Sequence, residues 1–280
     1  MRIASCQLDV EFGQPERNAA TLVETVANLA DGGVDLAVFP EAFLTGYCVG
    51  TAEQAKGIAL PVEEDESGMV HSAHPAILEV RHVAMEYSMH LCVGFAGVDK
   101  NGLYNGALFV WPDGSMKRYL KTHLPHLGYD RFVRTGNSLP LFDTKFGKVG
   151  ILICFDLRHP EASRVLAKAG ADIILLPTNW PEGAQMAAEH VAITRATENK
   201  VFLASCNRVG TENGTHFIGL SKIVDPYGRV LASAGTAEEI LRADIDLSLS
   251  RDKRNVIIPG EYEITIFESR RPDLYSTLCE

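Results

Sequence analysis

The sequence predicts an α/β protein of mixed β-sheets with helices outside. Three observations carry this. Short apolar, β-branched runs alternate with segments of helical period. Some apolar runs follow one another directly, which adds antiparallel neighbours to a parallel pattern. No Pro-, Gly- or Ser-rich linker divides the 280 residues, so a single domain over 1–280 is expected.

Taken in order, "RIASCQLDV" reads as a strand, and "NAATLVETVANLADGG" as a helix stopped by glycines. "VDLAVFPEAF" is a strand. The segment from 44 to about 72, with "EEDESG" at 63–68, has little periodicity and reads as a surface loop. "HPAILEVRHVAMEYSMH" is a helix. "LCVGFAGVD" and "YNGALFVWPDG" are adjacent strands, the second closed by a Pro-Asp-Gly turn signal. "VGILICFD" is a strand, "PEASRVLAKAG" a helix, "ADIILLP" a strand and "EGAQMAAEHVAITRATENK" a helix. Strand-like "VFLASCNRVG", "FIGLSKIVDPYG", "RVLASAG" and "EILRADID" precede a charged tail.

Hydrophobic residues make up 46% and charged residues 22%, a soluble globular profile. A net charge of −10 with no basic run argues against a nucleic-acid partner. No apolar stretch approaches the ~20 residues of a membrane helix. "MRIASCQLDV" lacks the apolar block of a signal peptide, so a cytoplasmic protein is expected. Cys6, Cys48, Cys92, Cys154, Cys206 and Cys279 are widely and irregularly spaced, without a C-x-x-C pair. That spacing argues against a zinc site and a disulfide framework.

Three reactive residues follow apolar runs: Glu41 after "LAVFP", Lys121 after "KRYL" and Cys154 after "VGILI". Ligands of α/β sheets gather at the carboxyl ends of strands. The trio forms a coherent chemistry. A carboxylate takes the proton as the thiol attacks a carbonyl carbon. An ammonium and a backbone N–H stabilise the oxyanion, and a helix expected near Pro160 would point its dipole at the sulfur. No metal is called for. Taken alone, each residue reads better as something plainer: the cysteine as packing, the glutamate as a helix-end charge, the lysine as a surface residue.

The segments "VDLAVFPEAFLTGY", "YLKTHLP" and "VGILICFDLRHPE" resemble, in order and spacing, the motifs of the carbon–nitrogen hydrolase (nitrilase) superfamily. The likeness continues through "ADIILLPTNWP", "RATENKVFLASCNRVG", "GLSKIVDPYGRVL" and "RRPDLY". The resemblance implies an α-β-β-α sandwich, no cofactor and assembly through dimers. It makes Glu41 the general base, Lys121 the oxyanion stabiliser, Cys154 the nucleophile and the Phe155 backbone N–H the second oxyanion donor.

One departure stands out. Members often carry a second glutamate after the lysine, where "GYDRF" has Asp130. Asp130 is expected either to hold Lys121 or position substrate, in part through a water, or to pair with Arg131 or Arg134. His123 and His126 are assigned structural roles, and the other five cysteines are expected to be buried. Asp156 and Arg158 are expected to pair with each other or cap the next helix. Arg158 alternatively meets a substrate carboxylate, as a similarly placed arginine does in relatives that cleave N-carbamoyl amino acids. Asn179 and Trp180, after "DIILLP", are expected to line the pocket, with core packing the alternative for Trp180.

"CFDLRHPE" is similar to the amidase and carbamoylase side of the superfamily rather than the nitrile-cleaving side. The expected reaction is hydrolysis of a small linear amide through a cysteine thioester, releasing ammonia and a carboxylate. N-carbamoyl amino acid or N-carbamoyl amine hydrolysis is the alternative, nitrile hydrolysis stands behind it, and a catalytically silent binding protein is the reading outside enzymes. The C-terminal segment, about 255–280, is expected to contact a partner subunit.

Overall fold

The computed structural model describes residues 1–279. Two sheets form its centre. The first has the spatial order Glu239–Asp244, Arg2–Gln7, Leu36–Val38, His90–Asp99, Gly102–Val110, Met116–Leu120, with Leu60–Pro61 also paired to His90–Asp99. The second runs Val230–Ser233, Lys222–Val224, Phe202–Asn207, Ile173–Thr178, Lys148–Ile151, Leu141–Asp143. Both mix parallel and antiparallel pairs, as the interspersed strand neighbours predict.

Alternation along each strand builds the layers. In the first sheet Ile3, Leu36, Val38, Cys92 and Phe109 point inward and share a core with Val149, Ile151, Ile173 and Leu175 of the second. Their neighbours Ala4, Ala37, Leu91, Val93 and Leu108 point outward, onto Leu22, Val26 and Leu29 of helix Pro15–Ala30 and Ile77, Val80 and Val83 of helix Pro75–Glu86. Helices Pro160–Ala169 and Ala192–Asn199 cover the second sheet through Ala162, Leu166, Ala192 and Ala196. The result is the α-β-β-α sandwich.

Strand direction positions the site. Leu36–Val38 and His90–Asp99 are parallel. Two antiparallel steps then bring Met116–Leu120 back to the same direction. Residues following Val38 and Leu120 therefore emerge on the same edge of the first sheet.

Three local expectations change. The segment 44–72 is not a bare loop: it holds helix Ala52–Ile58, capped by the Thr51 side chain, and three short strands. That helix buries one residue, Ala55, so it leaves no apolar period. The segment after Trp180 turns helical late, as a wide turn over Ala187–Val191 running into Ala192–Asn199. In the tail, Arg254–Ile258 and Tyr262–Thr265 form a hairpin.

Candidate active site

Glu41 sits in a sharp turn after Leu36–Val38. The turn is pinned to the neighbouring strand by Phe39 N–H to Cys92 O (2.8 Å) and Leu44 N–H to Gly94 O (3.1 Å). Ala42 adopts φ +49°. Gly94 permits this approach: a Cβ there would lie 2.5 Å from the Ala42 nitrogen and 2.6 Å from Glu41 Cα. Lys121 follows Met116–Leu120 directly, and its N–H donates to Asn105 O (2.9 Å). Asp130 lies in the 3₁₀ turn Gly128–Phe132.

The structure brings Glu41, Lys121 and Asp130 into one buried cluster. Lys121 Nζ donates to Glu41 Oε1 (2.7 Å) and Asp130 Oδ2 (2.6 Å). Asn105 Nδ2 bridges the same carboxylates, at 2.7 Å to Glu41 Oε1 and 2.8 Å to Asp130 Oδ1. Tyr47 OH donates to Asp130 Oδ2 at 2.8 Å. Asp130 thus meets Lys121 directly, with no water between them. It does not pair with Arg131, which donates to the carbonyls of Val49 and Gly50, or with Arg134, which pairs with Asp99.

Cys154 is half-buried and follows a strand of the second sheet, close enough to Glu41, Lys121 and Asp130 for their charges to act on its thiol. It stands three residues beyond strand Lys148–Ile151, at φ +46°, where the chain turns into the 3₁₀ segment Cys154–Arg158. Such a conformation is costly for a side-chain-bearing residue and marks a position the fold holds against its preference. The expectation that the helix near Pro160 begins at the sulfur is corrected here. The helix starts six residues later, and the 3₁₀ segment lies between.

Two carboxylates against one ammonium leave the cluster with one net negative charge. Burial alone would lower the Lys121 pKa, but Asp130 and then Glu41 outweigh it and raise it well above the usual value. Burial raises the Glu41 pKa, Lys121 opposes this, and Asp130 adds to the rise. The Cys154 thiol is pushed far up by burial and then by Glu41, against weaker pulls from Lys121 and the Asn179 N–H. At neutral pH the resting group is therefore the thiol, not the thiolate. Glu41 Oε2 is buried and has no hydrogen-bond partner.

Asp156 neither pairs with Arg158 nor caps the following helix. It is fully buried and accepts from Ile153 N–H (2.9 Å), Tyr119 OH (2.7 Å), Thr122 Oγ1 (2.9 Å) and His123 N–H (2.9 Å), and it lies 2.7 Å from His123 Nδ1. One carboxylate thus ties the end of the lysine strand to the turn that carries Cys154. Hydrogen bonds hold its own pKa below the usual value despite burial. His123 also stacks on His159, with ring centroids 3.9 Å apart. Arg158 is exposed and makes no ion pair among the described residues. Asn179 is buried just after strand Ile173–Thr178, and Trp180 is buried in the core. Cys6, Cys92 and Cys206 are buried as expected, whereas Cys48 is half-buried; the side chain of Cys279 lies outside the described part.

Sequence reasoning missed Tyr47 and Asn105. Tyr47 closes the quoted run "FLTGY". Asn105 stands inside an apolar strand, "YNGALFV", where a polar residue is a signal that it has a buried partner. Among the described residues, no group of three or more His, Cys, Asp or Glu side chains is placed to hold a metal ion. No described helix is long and apolar enough to cross a membrane.

A nitrilase from Pyrococcus abyssi is 34% identical over 276 residues, covering 98% of this chain and 99% of that protein. A 2-oxoglutaramate amidase from Bacillus subtilis is 31% identical over 279 residues, covering 98% of each. A mutant of a nitrilase-superfamily amidase from Nesterenkonia AN1 superposes with a TM-score of 0.79 at 23% identity, over 99% of this chain and 97% of that one, which shows the shared fold. The carbon-nitrogen hydrolase family profile matches residues 2–255. On this match and these identities, the chain belongs to the carbon–nitrogen hydrolase family of the nitrilase superfamily.

Proposed function

We propose that this protein hydrolyses a small linear amide, R–CO–NH2, through a thioester on Cys154. The observation that carries the reading is the buried Lys121–Glu41–Asp130 cluster, with Glu41 Oε2 unpaired, beside the turn that holds Cys154 at positive φ. The sulfur attacks the carbonyl carbon while its proton passes to Glu41. The carbonyl oxygen takes the negative charge, facing the Lys121 ammonium and the Phe155 N–H. The C–N bond breaks, and ammonia leaves with the proton held by Glu41. Water then attacks the acyl carbon, Glu41 takes its proton, and the carboxylate departs as the thiol recovers a proton. The family membership, the amidase among the relatives and the Phe-Asp after Cys154 favour amide over nitrile.

An ammonia-release screen over primary amides, carbamoyl compounds and nitriles tests the reading. Turnover of amides is expected. Turnover confined to carbamoyl compounds or nitriles would overturn it.

Asp130 is assigned to positioning Lys121. Asp130→Asn should cut kcat on the order of 10²-fold, because charge inside a closed site is little screened. Asp130→Glu should also lose activity, since the 2.6 Å contact leaves no room for another methylene. Wild-type rates in Asp130→Asn would remove Asp130 from the machinery.

Glu41 acts as base only when ionised, and burial raises its folded-state pKa. As pH falls through that raised value, Glu41 takes up a proton and kcat/KM falls. The acid limb should therefore lie above the ordinary carboxylate pKa of about 4.3. An acid limb at or below that value would contradict the assignment.

We also infer a homodimer or an assembly built from dimers, through the tail. Its hairpin leaves Val256, Ile257, Ile258, Tyr262 and Ile264 exposed, and an isolated two-stranded hairpin is marginal in water. Light scattering at micromolar concentration should give at least a dimer mass; a monomer would contradict the inference.

A further inference from the structure

We propose that Asn179 selects the acyl group, favouring amides whose acyl chain carries an uncharged hydroxyl or carboxamide near the scissile carbonyl. The inference rests on the amidase reading and adds its substrate class.

Asn179 is the first residue beyond strand Ile173–Thr178, and its backbone N–H lies near enough to the Cys154 sulfur to pull the thiol pKa down against burial. It is 1% exposed, yet neither Oδ1 nor Nδ2 has a partner. Among the described residues it is the only buried side-chain amide with both ends unpaired; Asn105 and Asn199 each lack a partner for one atom only. Its main chain is fixed. Asn207 Oδ1 accepts from Trp180 N–H and from Thr178 Oγ1, each at 2.7 Å, and Ile218 N–H donates to Trp180 O at 3.1 Å. A buried polar group left unpaired costs about 1–3 kcal/mol. Beside a nucleophile, that cost is offset when a ligand supplies the missing partners.

The other polar groups of the site already have work in the reaction. Lys121 faces the carbonyl oxygen, and Glu41 Oε2 exchanges protons with sulfur and leaving nitrogen. Asn179 is left for the acyl chain. Its carboxamide offers one acceptor and donors together, so it is satisfied by a group that both donates and accepts. A carboxylate would leave Oδ1 unpaired and would meet a cluster of net negative charge, with Lys121 committed to Glu41 and Asp130 and Arg158 out at the surface. An ammonium would leave Nδ2 unpaired. An alkyl chain would leave both.

Steady-state kinetics on two matched pairs test this: glycolamide against propionamide, which exchange hydroxyl for methyl, and succinamide against succinamate, which exchange carboxamide for carboxylate. The wild type should prefer glycolamide and succinamide by about tenfold or more in kcat/KM. In Asn179→Leu the glycolamide-to-propionamide ratio should fall to about one, with Asn179→Ala as a second variant should leucine disturb folding. General damage to the site lowers both members of a pair together and leaves the ratio in place. Turnover of amides without these preferences, or a ratio that persists in a folded variant, overturns this inference alone. No turnover of any amide overturns the amidase reading and this inference with it.

Discussion

Cys154→Ala should abolish turnover and leave the fold intact. The substitution removes one sulfur atom from a half-buried position and keeps a β-carbon, so the φ of +46° is no harder for alanine to hold than for cysteine. The turn itself is held by Asp156, whose bond to Ile153 N–H does not involve the thiol. The other side chains bonded to the Glu41–Lys121–Asp130 cluster are the Asn105 amide and the Tyr47 hydroxyl, which is tied to Asp130 and kept protonated by burial, so kcat should fall by at least about 10⁴. Cys154→Ser should fare little better: Glu41 would have to activate a hydroxyl, a far weaker nucleophile at neutral pH. Ammonia release, with circular dichroism as the check on folding, measures the effect. Residual activity within tenfold of the wild type would remove Cys154 from the mechanism.

Lys121→Ala should damage both catalysis and stability. Losing one oxyanion donor costs on the order of 10²–10³ in kcat. The same change leaves Glu41 and Asp130 buried without their shared counter-ion, and breaking a buried pair costs about 3–5 kcal/mol. Lys121→Met separates the two effects. It keeps most of the side-chain volume and removes only the charge, so it should lose as much turnover as alanine while retaining more of the packing. The urea midpoint and kcat of both variants give the comparison. A methionine variant with near-wild-type kcat would show that the ammonium does not act on the oxyanion.

How much of this was legible follows from where the sequence signals lie. The paired sheets were readable because strands such as "VDLAVF" and "ADIILLP" are continuous apolar runs, and because glycines close the helices. Gly170, with φ +103°, is one such stop. Glu41, Lys121 and Cys154 were readable because each follows an apolar run and together they match a family motif. The short helix Ala52–Ile58 was not, since it is held by a Thr51 cap and one buried alanine rather than by an apolar stripe. The role of Asp156 was hidden for another reason. Its partners Tyr119, Thr122 and His123 lie more than thirty residues away in the chain, so a local reading offered only Arg158. Asp130 was visible as a departure from the motif. Only the fold shows that its shorter side chain reaches Lys121 directly, because Gly128 and Tyr47 bring the loop close: the Tyr129 N–H donates to Tyr47 O at 2.9 Å.

The central claim is that a covalent acyl group passes through Cys154. Rapid quenching of wild-type protein with a slowly deacylating amide, followed by peptide mass spectrometry, tests it most directly. The account predicts that the peptide containing Cys154 gains the mass of the acyl group less one hydrogen, with one equivalent of ammonia released in the same burst. An acyl group found instead on Cys48, Lys121 or another side chain, with Cys154 unmodified during turnover, would contradict it.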